Sequence, residues 1–477
     1  MHHRTCVFSL AIGLMLLPAL AARVAAAPAR PNILFLFTDD QQEHTLRALG
    51  NPLIQTPNLD KLVQQGFVFQ NAYCMGGYSP AVCLPARQMT LSGRAWFAVR
   101  NLPPDAPNFP KSMNHAGYVT YHYGKRGNTA VDIQAQFQHN QYLNDLEDRT
   151  CGYPGRTIAN DVIQFLTERQ KAQASEPAGA RPFCMYLAFA NPHDPRVAAP
   201  EFLNRYAVDQ IPLPPNFRPF HPFDNGELLV RDERLAAWPR PEANIRSQIR
   251  DYYAVITALD EQIGRIVQCL HEVGEYDNTL IAFSTDQGIA LGSHGLMGKQ
   301  NLYEPSMGIP LVFSGPGVPR GKSSQALAYI FDIYPTLCEL AGVPIPAALD
   351  GKSLAPIIRG QADQVWDSIF LAYRDVQRAV RQGPWKLIRY PQINRVQLFN
   401  LQSDPHETRD LSADPAQADR IRQMTTLMEQ QQQRFGDTLP LVAAEPKPGD
   451  VDLAYYQNAP PPATKKPGAK RPRAKSP

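Results

Sequence analysis

Cys83-Leu84-Pro85-Ala86-Arg87 sets a sulfur and a guanidinium one helical turn apart. Pro85 suits the first turn of a helix, where its missing N–H costs nothing and its fixed φ is already helical. The run to Leu91 can continue that helix, and Ser92-Gly93 can close it. Cys83 then stands at the helix entrance, beside unpaired N–H groups and the positive end of the dipole. Arg87 returns to the same face four residues later. Sulfur, guanidinium and helix N-terminus together make an oxyanion site. A structural cysteine before a Pro-started helix would read the same way, so the pentapeptide needs company.

That company comes at the ends of apolar runs. Asp39 and Asp40 follow Asn32–Phe37, and Lys125 follows Gly117–Tyr123. His193 follows Phe183–Phe189, and Asp286 with Gln287 follows Thr279–Ser284. A single Asp after a strand is more often a turn or a helix cap than a ligand. Repeated endings of this kind are harder to explain as caps, because ligands of open α/β sheets bind at the carboxyl ends of the strands. Asp39, Asp40, Asp286 and Gln287 offer only oxygen. Such a set suits a hard cation, Ca²⁺ more comfortably than Mg²⁺, and disfavours zinc. A cation there would act as a Lewis acid.

The elements that must position these residues alternate. Continuous apolar runs read as parallel strands buried on both faces. Between them lie helical patterns: Thr56 as cap with Pro57 behind it and a stop at Gly66, then Ile158–Gln170, Ile245–Val273 and Ala328–Leu340. Ile309–Phe313 reads as a further strand. The alternation predicts an α/β fold with a doubly wound, mostly parallel sheet and helices on both faces. From His193 to about Pro241 the chain is dense in Pro and aromatic residues, the pattern of a long loop covering the site. Short strands Ile369–Tyr373, Trp385–Arg389 and Gln397–Leu401, followed by a helix from Pro415 to Phe435, predict a smaller C-terminal α+β domain. The expected boundaries are 1–27 for a signal peptide, 28–362 for the α/β domain, 363–440 for the small domain and 441–477 for a disordered Pro-rich basic tail.

Composition narrows the class. His2, His3 and Arg4 precede an apolar run from Val7 to Ala22 and then Ala25-Ala26-Ala27, an A-x-A cleavage pattern. The run is short for a membrane span, so an exported protein, periplasmic or secreted, without an integral span is expected. Net charge is +3 with mixed signs, and the excess lies in the tail, which argues against a nucleic-acid partner. The cysteines have no C-x-x-C spacing, and Cys184, Cys269 and Cys338 sit in apolar periodic segments. That pattern is neither a zinc site nor a disulfide framework.

Cys83-Leu84-Pro85-Ala86-Arg87-Gln88-Met89-Thr90-Leu91-Ser92-Gly93-Arg94 resembles the sulfatase signature, C-x-P-x-R followed by four residues, a hydroxyl residue and Gly. Other segments resemble the same family in order. Thr38-Asp39-Asp40 and Ser284-Thr285-Asp286-Gln287-Gly288 are similar to its metal motifs, and Gly124-Lys125 to the start of its G-K-W-H motif. Pro192-His193-Asp194-Pro195 is similar to its P-H-x-P stretch, and Gly295–Glu304 to the segment bearing a second sulfate-binding lysine, here Lys299. Trp385–Ile388 and Leu398–Glu407 continue the likeness, which spans about residues 31 to 412.

The resemblance implies an alkaline-phosphatase-like fold and a sulfuric ester hydrolase. It implies that Cys83 is converted by a formylglycine-generating enzyme to formylglycine, an aldehyde whose hydrate attacks sulfur. One Ca²⁺ per chain would then be held by Asp39, Asp40, Asp286, Gln287 and the modified Cys83. Arg87, Lys125 and Lys299 would hold the sulfate oxygens, and His193 would protonate the leaving alkoxide. The substrate would be a small-molecule or oligosaccharide sulfate ester, with sulfated carbohydrate favoured and choline or aryl sulfates open. Gln287 stands where the family more often has Asn or His, and Gly127 where it has the His of G-K-W-H. His122, Asn128 or His294 could replace that His, while Gly127 could also serve a backbone angle that His cannot adopt. The alternatives are a related phosphonate or phosphate monoester hydrolase, and a sulfated-glycan binding protein with a decayed site.

Overall fold

A computed structural model describes residues 30–175 and 181–458. The leader read over 1–27 and the tail from 459 onward lie outside the described residues. In chain order the strands begin with β1 (Asn32–Thr38), β2 (Gly66–Tyr73), β3 (Gly76–Gly77) and β4 (Val119–Gly124). Next come β5 (His139–Tyr142), β6 (Phe183–Ala188), β7 (Thr279–Thr285), β8 (Gly308–Ile309) and β9 (Val312–Ser314). The last are β10 (Lys322–Tyr329), β11 (Ile369–Tyr373), β12 (Gln377–Gln382), β13 (Trp385–Tyr390) and β14 (Arg395–Asn400).

The large sheet runs β10-β2-β9-β7-β1-β6-β4-β5, with β8 beside β2. β1 lies at its centre, parallel to β6 and β7, and β4 is parallel to β5 and β6. β2 and β10 are parallel to each other, and the antiparallel pairs are those of β8 and β9. The sheet is therefore mixed but mostly parallel. Every residue of β1 is buried, as its unbroken apolar run requires.

Alternation along β1 divides the core into two layers. Leu34 and Leu36 join Leu59, Leu62, Ile158, Val162, Leu259, Ile263 and Ile266, which come from α1 (Pro57–Gln65) and two longer helices. Ile33, Phe35 and Phe37 face Ala86 and Met89 of α2 (Cys83–Ser92). The longer helices are α3 (Arg156–Ser175) and α4 (Glu242–Glu272). Helices thus cover both faces, the doubly wound arrangement that the alternation predicts.

The smaller sheet runs β14-β13-β12-β11-β3 and is antiparallel except where β3 joins β11. α5 (Ala418–Phe435) adds Met424 and Met428 to its core. β3 comes from the chain just before Cys83, and a Cβ on Gly77 would stand 2.4 Å from Pro85 Cγ. Only Gly lets this strand approach the start of α2 so closely.

Several elements differ from the sequence reading. β2, β5, β10 and β12 were not foreseen, and Ala328 belongs to the end of β10, so the helix expected from it begins only at Ile333. β10 lies on a sheet edge and starts with exposed polar residues, which hides its strand pattern. The single strand expected over Ile309–Phe313 is interrupted at Pro310, which cannot donate to a ladder. Residues 441–458, expected as part of a structureless tail, instead follow the body. Gly449 O accepts from Asp224 N–H at 2.9 Å, Tyr456 Oη donates to Asp224 Oδ2 at 2.7 Å, and Leu441 is buried. Among the described residues no helix is long and apolar enough to cross a membrane.

Candidate active site

α2 starts at Cys83 and is capped by Gly93, whose φ of 65° and N–H bond to Met89 O close the helix. Most of its residues are buried, so Cys83 and Arg87 are fixed by packing on several sides. The carboxyl ends of β1, β4, β6 and β7 deliver Asp39, Asp40, Lys125, His193, Asp286 and Gln287 to the same place. Lys299 arrives from the loop between β7 and β8.

Cys83 Sγ lies 3.4 Å from Asp39 Oδ1, 3.9 Å from Asp40 Oδ1, 3.3 Å from Gln287 Nε2 and 3.0 Å from Lys299 Nζ. Arg87 donates from Nη2 to Asp39 Oδ2 at 3.1 Å and from Nε to Asp286 Oδ2 at 3.2 Å. Its guanidinium also stands over the Phe37 ring, 5.2 Å from the centroid. Lys125 pairs with Asp39, while Lys299 donates to both Asp40 oxygens at 2.6 and 2.9 Å. Asp40 adopts a φ of 64°, which turns its N–H to Asp286 Oδ1 at 3.0 Å, and Asp tolerates this region better than most residues. Tyr252 Oη, from α4, donates to Asp40 O at 2.6 Å and accepts from Gln42 N–H at 2.7 Å.

Burial and opposing charges set the ionisation of this cluster. Burial pushes the Asp39 carboxyl up, but Lys125 and Arg87 outweigh it and hold Asp39 well below its usual range. Asp286 is pushed up to about 6 by burial and by the charge of Asp39, against the pull of Arg87. Burial drives the Cys83 thiol up, and Asp286 and Asp39 add to the effect. Cys83 is therefore a neutral thiol and a poor thiolate nucleophile. Burial opposes the charge on Lys299, yet Asp40 keeps it protonated far above the ordinary lysine value.

The residues present fit a hard cation. Ligand atoms of Asp39, Asp40, Cys83 and Asp286 all lie within 4.8 Å of one another. Two oxygens on one Ca²⁺ are at most about 5 Å apart, twice the ordinary bond length. Gln287 donates from Nε2 to Asp40 Oδ1 at 2.5 Å, while its Oε1 is buried without a partner. Turning that amide over would give the cluster a further oxygen donor.

The sulfatase family profile matches residues 31–343, and the profile of the N-sulphoglucosamine sulphohydrolase C-terminal region matches 292–434. The chain belongs to the sulfatase family. This sulfatase is 26% identical to an N-acetylglucosamine-6-O-sulfatase of Bacteroides thetaiotaomicron, over 86% of its own chain and 88% of that protein. It is 27% identical to a choline-sulfatase of Rhizobium meliloti, over 81% and 83% of the two chains. In fold it is similar to the structure of BT4656 in complex with its substrate D-glucosamine-2-N,6-O-disulfate, with a TM-score of 0.70, 24% identity and coverage of 86% and 99%. A phosphonate monoester hydrolase from Silicibacter pomeroyi shares the fold as well, with a TM-score of 0.68, 22% identity and coverage of 89% and 100%.

The sulfatase site opens into a pocket of about 410 Å³ lined by Cys83, Asn128, His193, Lys299 and Gln300, among others. Of the residues weighed as replacements at Gly127, only Asn128 lines it. His122 points into aromatic packing with Phe137, Tyr142 and Tyr186, and its Nδ1 lies 2.8 Å from Asn140 Oδ1. His294 stacks on Tyr303 at 3.8 Å and meets Asn216. Gly127 has no positive φ, so no backbone angle requires glycine there. Its N–H donates to Asp145 Oδ2 at 2.8 Å, and an added Cβ would come within 3.0 Å of that oxygen.

The sequence reading missed the pocket wall formed by Val230, Arg231 and Asp232. These residues sit in the Pro-rich segment, where no periodicity marks them. A buried clamp holds them. Glu233 accepts from Met297 N–H at 3.0 Å, Gly298 N–H at 2.9 Å and Arg240 Nη2 at 2.5 Å, and Arg240 donates to Gly295 O at 3.2 Å. Gln300 Nε2 bonds Asp232 Oδ2 and Pro80 O, both at 2.8 Å. The segment is thus tied on both sides of Lys299.

Proposed function

We propose that this sulfatase hydrolyses a sulfate ester carried by a sugar, using formylglycine made from Cys83 and one Ca²⁺ held by Asp39, Asp40, Asp286 and Gln287. The observation that carries the reading is the buried convergence of Cys83 with three carboxylates and Lys299 at the floor of a pocket. When present, the modified residue supplies a hydroxyl for attack on sulfur, and the cation polarises it and neutralises sulfate oxygens. All else is the work of this chain's side chains.

Lys299 Nζ lies 3.0 Å from Sγ, so it would stand beside the oxygen that takes the place of that sulfur in formylglycine, within reach of a sulfate bound to it. Arg87 and Lys125 add positive charge in a dry site, where it stabilises charge spread over sulfate oxygens in the transition state. His193 Nδ1 donates to Asp194 O at 2.7 Å, so Nε2 faces the cluster. Burial and Lys299 depress the His193 pKa, so the ring is a minority imidazolium at neutral pH but a stronger acid toward a leaving alkoxide once Nε2 is protonated. Cys83 is 1% exposed, so its conversion has to precede the packing of α2.

The pocket favours a sugar over choline. Asn128 offers an amide for a hydroxyl group, whereas no Phe, Tyr or Trp among the described lining residues can face a quaternary ammonium. The leader pattern in residues 1–27 supports export to the periplasm or beyond. The test is a panel of sulfated amino sugars, choline sulfate, an aryl sulfate and an aryl phosphonate. A sulfated sugar should give the highest kcat/KM. A higher value for the phosphonate would favour the esterase alternative, and binding without turnover would favour a decayed site.

A further inference from the structure

A second pocket of about 640 Å³ lies against the turn that precedes Cys83, and the mechanism does not use it. Its walls include Tyr78, Trp96, Phe97, Arg100 and Arg374. The turn before Cys83 borders both spaces, with Tyr78 in the second pocket and Pro80 and Ala81 in the first. Tyr78 and Pro80 are two residues apart, at most about 7 Å along the chain. The Pro-rich segment lines the first pocket and reaches the second through one ion pair. Glu227 holds Arg374 of the second pocket, and Val230 and Arg231 line the first.

We infer that this second pocket is a subsite for a neighbouring, oxyanion-bearing sugar unit of a longer glycan chain, an inference that rests on the sulfatase reading of the first. Its chemistry matches that ligand. The half-buried rings of Tyr78 and of Phe97, which is backed at 3.6 Å by the buried Trp96, offer an aromatic surface to the apolar face of a sugar ring. Arg100 is exposed, and its guanidinium lies 5.7 Å from the Tyr78 ring centroid. Among the described residues no carboxylate pairs with it, so its N–H groups remain available to a sulfate or carboxylate.

Arg374 is presented with care. Its φ is 46°, unusual for a bulky residue, and its N–H donates to Gly77 O at 2.8 Å in the turn after β11. Glu227 fixes the side chain while leaving it about one third exposed. Arg378, by contrast, is buried and bidentate on Asp437 at 2.6 and 2.9 Å, which makes it part of the wall. The second pocket thus offers Arg100 and Arg374 at its mouth and aromatic rings inside.

The test is calorimetric titration of Cys83→Ala protein, which needs no turnover and so separates this inference from the sulfatase reading. A sulfated hexasaccharide, a desulfated uronic-acid hexasaccharide, a neutral hexasaccharide and a sulfated monosaccharide are compared, in the Arg100 background and in Arg100→Glu. Arg374→Lys serves as a second variant that keeps the charge but loses the fork. The charged hexasaccharide should bind about tenfold or more tightly than the monosaccharide, with Arg100→Glu removing most of that gain and leaving monosaccharide affinity unchanged. Whichever of the sulfated and uronic hexasaccharides gains most identifies the oxyanion. Equal affinity for charged and neutral chains, or an oligosaccharide gain that survives both substitutions, would overturn the subsite.

Discussion

The carboxyl ends of β1 and β7 and the segment around Arg231 face one pocket but are held by different physics. Asp39, Asp40, Asp286 and Gln287 are fixed by buried parallel strands in register, where Phe37 pairs with Ser284 and Thr38 with Thr285. Val230, Arg231 and Asp232 belong to irregular chain whose fixed points are side-chain bonds, chiefly Arg240 to Glu233 and Gln300 to Asp232. A sheet holds chemistry in place through the backbone. A clamped loop holds the pocket's shape through a few polar contacts, and those can be changed one at a time.

Substitutions at the strand ends should have the largest effects. Asp40→Asn and Asp286→Asn each remove a charged oxygen donor, and Asp40→Asn also weakens the hold on Lys299. Each should lower kcat/KM by about 10²-fold or more, the scale of one preorganised electrostatic contact, and weaken Ca²⁺ binding in a calorimetric titration. Unchanged activity after exhaustive chelation would remove the cation from the account.

Breaking the clamp should act next. Glu233→Gln leaves Arg240 buried without its carboxylate, a change that typically costs about 3–5 kcal/mol. Thermal unfolding should shift down accordingly. Turnover in the surviving folded protein should fall through Lys299, whose loop loses charged bonds at Met297 and Gly298. A lower Tm with an unaltered kcat would show that the clamp serves stability alone.

Acid should affect the core more gradually. Burial lowers His122 to about 3, although Asn140 opposes the shift. Between the unfolded value near 6.5 and that folded value, the unfolded chain binds a proton that the folded one refuses. The contribution of His122 is therefore full above pH 6.5 and is lost as pH falls toward 3, by at most roughly 1.4 kcal/mol per pH unit. His122→Phe, placed among Phe137, Tyr142 and Tyr186, should flatten the decline of Tm between pH 6.5 and 4. Equal slopes would show that His122 is not kept neutral.

The smallest effect is expected at Gly127. Restoring the family's histidine there meets no backbone barrier, only the 3.0 Å approach of Cβ to Asp145 Oδ2. Gly127→His should fold, with a Tm within a few degrees of the parent, and should raise steady-state turnover if the missing base slows release of sulfate. Pre-steady-state bursts in the parent that vanish in the variant would support this, and a parent with no burst would point to Asn128, tested by Asn128→Ala.

Much of this site was legible because its residues carry local signals. An apolar run followed by Asp-Asp or Asp-Gln states both a buried strand and what lies at its end, and Cys83-x-Pro85-x-Arg87 states a helix start. The pocket wall was not legible. Arg231 and Asp232 acquire meaning only when Asp194, Gln300 and Pro80 arrive from distant parts of the chain. β2 and β10 were missed for a related reason. They pair with each other at the side of the sheet, and the polar start of β10 is exposed, so no unbroken apolar run marks it. His122 stayed open as a substitute base because sequence alone does not reveal which face of β4 it occupies.

We propose that sulfate esters are cleaved at Cys83, as formylglycine among Asp39, Asp40 and Asp286. The most direct measurement is peptide mass spectrometry of the Cys83 segment, with an aldehyde-reactive hydrazide as a trap, on preparations made with and without a co-expressed maturation enzyme. Specific activity toward a sulfate ester should rise in proportion to the fraction of aldehyde, and Cys83→Ala should fold with neither aldehyde nor turnover. Full activity in a preparation whose residue 83 is entirely thiol would contradict the account.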